Sequence, residues 1–549
     1  MNNIKYILLF VLLIGFYACN EDDNILPEET VLPELTTGTA DFSNYVALGA
    51  SFTAGFTDGA LFRASQENSF PNILSKEFAK LGNDTFTLPL MNDNIGGLLI
   101  GGTANDRFTP RLYFYSDQDD TDNFSSGPYP LGVVPHKLDF TAEIPTTEAT
   151  TKLNGTFSNM GIPGAKSFHL LFDGYGNPAN LATATANPYF VRIASNSTAT
   201  ILGDAIAQNP TFFTLSEIGG NDVLGYATSG GDGSNLITDA STFNSVFNTL
   251  ITTLTSTGAK GVITNVPYIT DLPHFTTVPY NPLSPLNPNF GPQIPTLNNI
   301  FGALNQVFDV IDPSRKIVFS QTAASPVVIH DETLPNIATL ITGALNTSPT
   351  FPTFVESLGL PIQASPLIAG LLGKAYGQSR QATEKDLLVL PSSSIIGTTN
   401  QASVSALMAA KVPQQLAEQF SAEGITLPLA DKWVLLPSEL KEINNATDAY
   451  NATIKSVIDS NDNIALVDLN NILAELASAG INFDNFSLKS NLVTGGAISL
   501  DGIHLTGRGY AYMANKFLEA IDAKFGSNFV ASGNVANAND YPTNYSSEP

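Results

Sequence analysis

Tyr45-Val46-Ala47-Leu48-Gly49-Ala50-Ser51-Phe52-Thr53-Ala54-Gly55 runs from an apolar strand into a serine-centred turn. A continuous apolar run of this length, broken by glycine and serine, reads as a buried strand of a parallel sheet. Working outward, Phe70, Ile73, Leu74 and Phe78 recur at helical spacing, which predicts a helix over 68–80. Thr211–Leu215 predicts a second strand and Ser241–Thr257 a helix with Phe243, Val246, Phe247 and Leu250 on one side. Gly261–Val266 and Ile464–Asp468 predict further strands, and Leu505–Phe525 a closing helix. Short apolar strands separated by helical periods point to a parallel α/β sheet with helices on both faces.

The stretches between these elements are less regular. Residues 104–150 mix Arg107, Phe108, Tyr113, Phe114 and Tyr115 with the acidic run at 117–122. Residues 267–296 carry a proline every few positions, which no continuous helix tolerates. Residues 297–460 add helices and two strand-like runs, Lys316–Ser320 and Leu387–Leu390. The last core elements lie beyond these stretches. The expected organisation is therefore a single domain over 42–528 with a large insertion at about 268–460, followed by a polar tail at 529–549.

Composition narrows the function classes. The formal charge is -26, from 24 basic and 50 acidic residues, and with no basic cluster it opposes binding to nucleic acid or an anionic membrane surface. There is one cysteine, Cys19, which excludes an internal disulfide framework. It follows Lys5 and the apolar stretch Ile7–Phe16, too short for a stable membrane span but suited to a signal-peptide core. A secretory signal ending in Ala18-Cys19 resembles a bacterial lipoprotein signal. That resemblance implies removal of residues 1–18, lipidation of Cys19 and anchoring to the outer membrane through the lipid. Asn20-Glu21-Asp22-Asp23 also resembles the acidic surface-export signal of Bacteroidetes-like lipoproteins. Residues 19–41 then read as an acidic, proline-containing tether.

Two further segments could serve Ser51 chemically. In Asp501-Gly502-Ile503-His504 an imidazole able to take a serine proton lies three residues from an acid able to fix its tautomer, provided that Gly502 allows a tight turn. Gly219-Gly220-Asn221-Asp222 follows a strong strand, so Asn221 could donate to a developing oxyanion and Asp222 could hold the loop. Asn159-Met160-Gly161-Ile162-Pro163-Gly164 could add a backbone N–H from Gly161. Read separately, each segment is equally a turn or a helix cap. His136, His169, His274 and His330 lack such an acid-glycine partner, no metal-binding spacing occurs, and no cofactor is expected.

Taken together and in order, these segments resemble the sequence blocks of the SGNH hydrolase superfamily, the GDSL-type esterases and lipases. The resemblance implies a flavodoxin-like three-layer α/β/α sandwich around a parallel sheet. It implies Ser51 as nucleophile, Asp501 and His504 as its triad partners, and an oxyanion hole formed by Ser51, Gly161 and Asn221. The usual Gly-Asp-Ser of the first block is here Gly49-Ala50-Ser51, so Ala50 lacks the carboxylate normally found there. The implied activity is ester hydrolysis, on lipid or acylated carbohydrate. The alternative is a surface glycan-binding or scaffold lipoprotein that retains the fold without catalysis. The regions 104–150 and 267–296 are the expected source of an apolar acyl pocket or a saccharide platform. Protein partners are not specified by the sequence.

Overall fold

The computed structural model describes residues 32–82, 85–117 and 126–548. The expected signal segment, Cys19 and most of the expected tether therefore lie outside the described residues. Among those described, no single helix is long and apolar enough to cross a membrane.

Five strands form the central sheet: β1 (Tyr45–Gly49), β2 (Asn159–Gly161), β3 (Phe212–Ser216), β4 (Lys260–Thr264) and β5 (Ile464–Val467). All pair in parallel, in the order β2-β1-β3-β4-β5. Every residue of β1 and β3 is buried, which is why both read as continuous apolar runs. Two groups of helices flank the sheet, giving an α/β/α sandwich. Phe70–Ala79 packs on Gly507–Phe525, which also lies against β4 and β5; Ile201–Ile206, Ala240–Thr255 and Pro437–Asp459 form the other group. Helix ends follow local chemistry. Asp239 accepts from Thr242 N–H (2.9 Å) and Thr506 from Gly509 N–H (3.0 Å), each as an N-cap.

The strand order reverses between β1 and β3. Connections leaving their carboxyl ends diverge there and open a crevice, the place where ligands bind in sheets of this kind. Ser51 follows β1 and Asn221 follows β3, so both stand at that crevice.

β2 corrects the sequence reading, which has only a turn at 159–164. Asn159, Met160 and Gly161 pair with Ala47, Leu48 and Gly49. Glycine is required at the end of this strand, because a Cβ on Gly161 would lie 2.3 Å from Ala54 N in the turn after Ser51. Lys316–Ser320 is a second correction, since it joins no strand. Ile317 and Phe319 are buried in strand-like alternation, but their backbone groups bond to the Asn305 and Asn298 side chains of the helix Ile294–Ile311 at 2.8–2.9 Å. Two asparagine amides thus take the place of a neighbouring strand.

The insertion has its own apolar core. This cluster runs from Val278 to Leu436, while Ile269, Leu272 and Phe275 before it and Ile443, Tyr450 and Ile454 after it belong to the main core. The insertion is therefore narrower than 268–460, and the helix Pro437–Asp459 is part of the sandwich. The C-terminal segment is no free tail either. Phe529 and Ala538 are fully buried, the Tyr545 ring packs edge-on to Phe62, and Arg111 donates to the Glu548 carbonyl at 3.1 Å.

Candidate active site

The Asp501–His504 turn closes as its spacing requires. Asp501 Oδ2 lies 2.8 Å from His504 Nδ1, and Oδ1 accepts the backbone N–H groups of Ile503 and His504 at 2.9 Å each. Gly502 makes this geometry possible: its φ is +74°, and a Cβ there would press on His274 N at 2.9 Å. Burial alone would raise the Asp501 pKa. The opposite charge and hydrogen bond of His504, with those two N–H groups, outweigh it and hold the carboxyl well below the usual range. Among the described side chains, His504 is the only histidine ion-paired to a carboxylate. Its ring lies between Phe56 and Phe52, with centroids 4.6 and 5.8 Å away.

The two ends of the chain are sewn together behind this turn. Gly59 N–H donates to Asp501 Oδ2 (2.9 Å), Asp58 N–H to Ser499 Oγ (3.1 Å), and Leu500 N–H to Asp58 Oδ1 (3.0 Å). Tyr510 of the closing helix donates to the Phe56 carbonyl at 2.6 Å. These bonds bring Ser51 and His504 to one cleft, which Asn221, Gly164, Gly59 and Arg107 also line. Ser51 is 6% exposed and begins a one-turn helix, so its own N–H is a helix-terminal donor without an intrahelical acceptor.

Asn221 and Asp222 stand in the first turn of the helix Gly220–Thr228. Asn221 Nδ2 donates one hydrogen to the Ala165 carbonyl at 2.9 Å, which orients the amide and leaves its second hydrogen for the cleft. Asp222 accepts from both Ser167 N–H (2.8 Å) and Ser167 Oγ (2.7 Å). It therefore ties its own helix to Ser167, at the end of the 164–167 loop.

Gly161 is displaced from its expected role. Its N–H donates to Asn159 Oδ1 at 2.9 Å, and the residue is buried in β2. Gly164, three residues on, lines the cleft instead, with φ +78° and open space where a Cβ would stand. Nothing in Asn-Met-Gly-Ile-Pro-Gly says which glycine ends the strand and which follows it.

The structure adds Glu217, which the sequence reading omits. It directly follows β3 beneath the serine turn, 9% exposed, and both carboxyl oxygens lie 2.9 Å from the Phe52 nitrogen. Burial raises its pKa to about 8, although hydrogen bonds from the Phe52 and Ala50 N–H groups and from the Ser51 hydroxyl oppose the rise. Its φ is +53°, a costly conformation for a residue with a side chain. The sequence signal was a lone acid at the end of a buried strand.

Other polar groups stand apart from this cleft. Both ring nitrogens of His274 are buried behind Gly502, next to the Asp501 backbone. Glu332, Asp431 and Glu439 bring one oxygen each within 4.8 Å of one another, but none lines the cavities at Ser51. The chain matches no protein-family model, no curated protein and no solved structure.

Proposed function

We infer that this chain is a serine-dependent carboxylic ester hydrolase of the SGNH type, built on a flavodoxin-like sandwich. The observation that carries the reading is the convergence of Ser51, Asn221 and His504 on one cleft, with Asp501 fixing the His504 ring at 2.8 Å. The strand order 2-1-3-4-5 and the position of the cleft at its reversal agree with it.

In this mechanism Ser51 Oγ attacks the ester carbonyl carbon while His504 Nε2 takes its proton. Asp501 holds the Nδ1–H tautomer and balances the imidazolium charge. The Ser51 N–H, the Asn221 amide and the Gly164 N–H, in place of Gly161, receive the oxyanion. His504 then protonates the departing alcohol oxygen as the C–O bond breaks. Water, deprotonated by the same ring, splits the acyl-enzyme to carboxylate and free Ser51.

Fluorophosphonate labelling of the purified protein tests the assignment. Ser51 is the expected adduct site, Ser51→Ala should abolish labelling and aryl-ester turnover, and normal turnover in that variant would refute the mechanism. Lipidation of Cys19 and outer-membrane attachment belong to the same proposal. They predict palmitate incorporation in cells, lost in Cys19→Ser.

A further inference from the structure

We propose that a second, apolar cavity at Ser51 is an acyl-chain site, so that the ester cleaved is that of a fatty acid and not an acetate on a glycan. This rests on the hydrolase reading above and names its substrate class. The cavity has a volume of about 100 Å³ and is partly open to solvent. Ser51, Glu217 and Asn221 stand at its head. Beyond them the wall is hydrocarbon, supplied by Ile269, Leu473, Leu476, Leu488, Ile498 and Met513 from five separate segments. The one other polar side chain in the wall is Tyr512, which hydrogen-bonds to Lys516.

Protein interiors pack to crystal-like density, so an unfilled apolar space of this size beside a nucleophile is a built feature. Beyond its head it offers a saccharide's hydroxyls only Tyr512, so their burial would be unfavourable, whereas hydrocarbon enters such a space readily. Ser51 and Asn221 line both cavities, but His504 lines only the Arg107-containing cleft. The leaving alcohol must depart on the side of the group that protonates it. The alcohol therefore belongs to the His504 cleft, and the acyl chain to the apolar cavity across the serine from it. The sequence reading sought an acyl pocket in 104–150 and 267–296; only Pro267, Ile269 and Leu272 of those stretches contribute, and most of the wall comes from 469–513.

The test is a series of p-nitrophenyl esters from acetate to dodecanoate, beside fluorophosphonate labelling and dodecanoate titration by calorimetry. On full burial kcat/KM should rise about four-fold per methylene and level off where the cavity ends. Leu473→Trp should move the optimum to shorter chains and Leu473→Ala to longer ones; general destabilisation cannot produce opposite shifts. A labelled Ser51 with kcat/KM flat or falling from acetate overturns the acyl site and leaves the hydrolase reading standing. Absent labelling and turnover overturn the hydrolase reading and with it the ester, but leave the acyl-chain site standing if dodecanoate still binds and Leu473→Trp abolishes that binding. No dodecanoate binding and no turnover overturn both.

Discussion

Replacing Glu217 with glutamine isolates the cost of keeping an acid beneath the serine turn. The carboxyl is 9% exposed and its pKa is raised from 4.5 to about 8, chiefly by burial. The folded protein therefore holds this proton more tightly than the unfolded chain does. Stability from this group is full below about pH 4.5 and declines through the window up to about 8, because the native state binds more protons there. At about 1.4 kcal/mol per pH unit, the shift sets a ceiling of roughly 5 kcal/mol. Glutamine keeps the shape and the acceptor for the Phe52 N–H but cannot ionise. Urea unfolding at pH 5 and pH 9 should show wild type losing several kcal/mol more than Glu217→Gln, on the order of 3–5. Asp58, Glu439 and Asp431, raised to about 7, 8 and 6, lower alkaline stability in both proteins and cancel in the comparison. Parallel pH profiles would refute the reasoning, since they would mean that Glu217 ionises as easily folded as unfolded.

Three further substitutions probe the site. Asn221→Ala should lower kcat about 100-fold, near 3 kcal/mol, with a smaller change in KM; an unchanged kcat on aryl esters removes the amide from the oxyanion role. Asp501→Asn should lower kcat by roughly 10⁴, because the amide no longer holds the productive His504 tautomer, and stopped assays on p-nitrophenyl butyrate would detect a smaller loss. Gly161→Ala should lower Tm, since the new methyl meets Ala54 N at 2.3 Å and Thr53 C at 2.6 Å, both backbone atoms that cannot swing aside. Overpacking of this kind costs about 1–3 kcal/mol or more, and an unaltered melting curve would show that the turn can yield.

Much of the sheet was legible because burial on both faces writes strands as largely apolar runs, as in β1 and β3. β2 was not, because three residues containing Asn159 and Gly161 carry no periodicity to read. Lys316–Ser320 misled for the converse reason: its alternation is real, but asparagine side chains partner its backbone. The Asp501–His504 contact was legible from the three-residue spacing together with Gly502, which lets the turn close. Choosing between Gly161 and Gly164 needed the strand boundary. Glu217 needed the packing of β3 under the serine turn, which no local pattern encodes. The tail at 529–549 looks polar residue by residue, yet Phe529 and Tyr545 dock it to the body of the fold.

The insertion between β4 and β5 also has a kinetic consequence. Residues 265–463 must be traversed before the last strand can pair with Gly261–Thr264, which gives the sheet a contact of very high sequence separation. Such pairings form late and slowly, because the entropy of closing the loop is lost before the contact repays it. At about 5–20 residues per second, synthesis of that stretch alone takes on the order of 10–40 s. During this time β4 is an unpaired apolar edge, open to pairing with other chains. The self-contained core from Val278 to Leu436 can collapse first on its own local contacts, shortening the effective loop. Refolding from denaturant should accordingly be slow and aggregation-sensitive, with the separation of β4 and β5, rather than the size of the sheet, setting the rate.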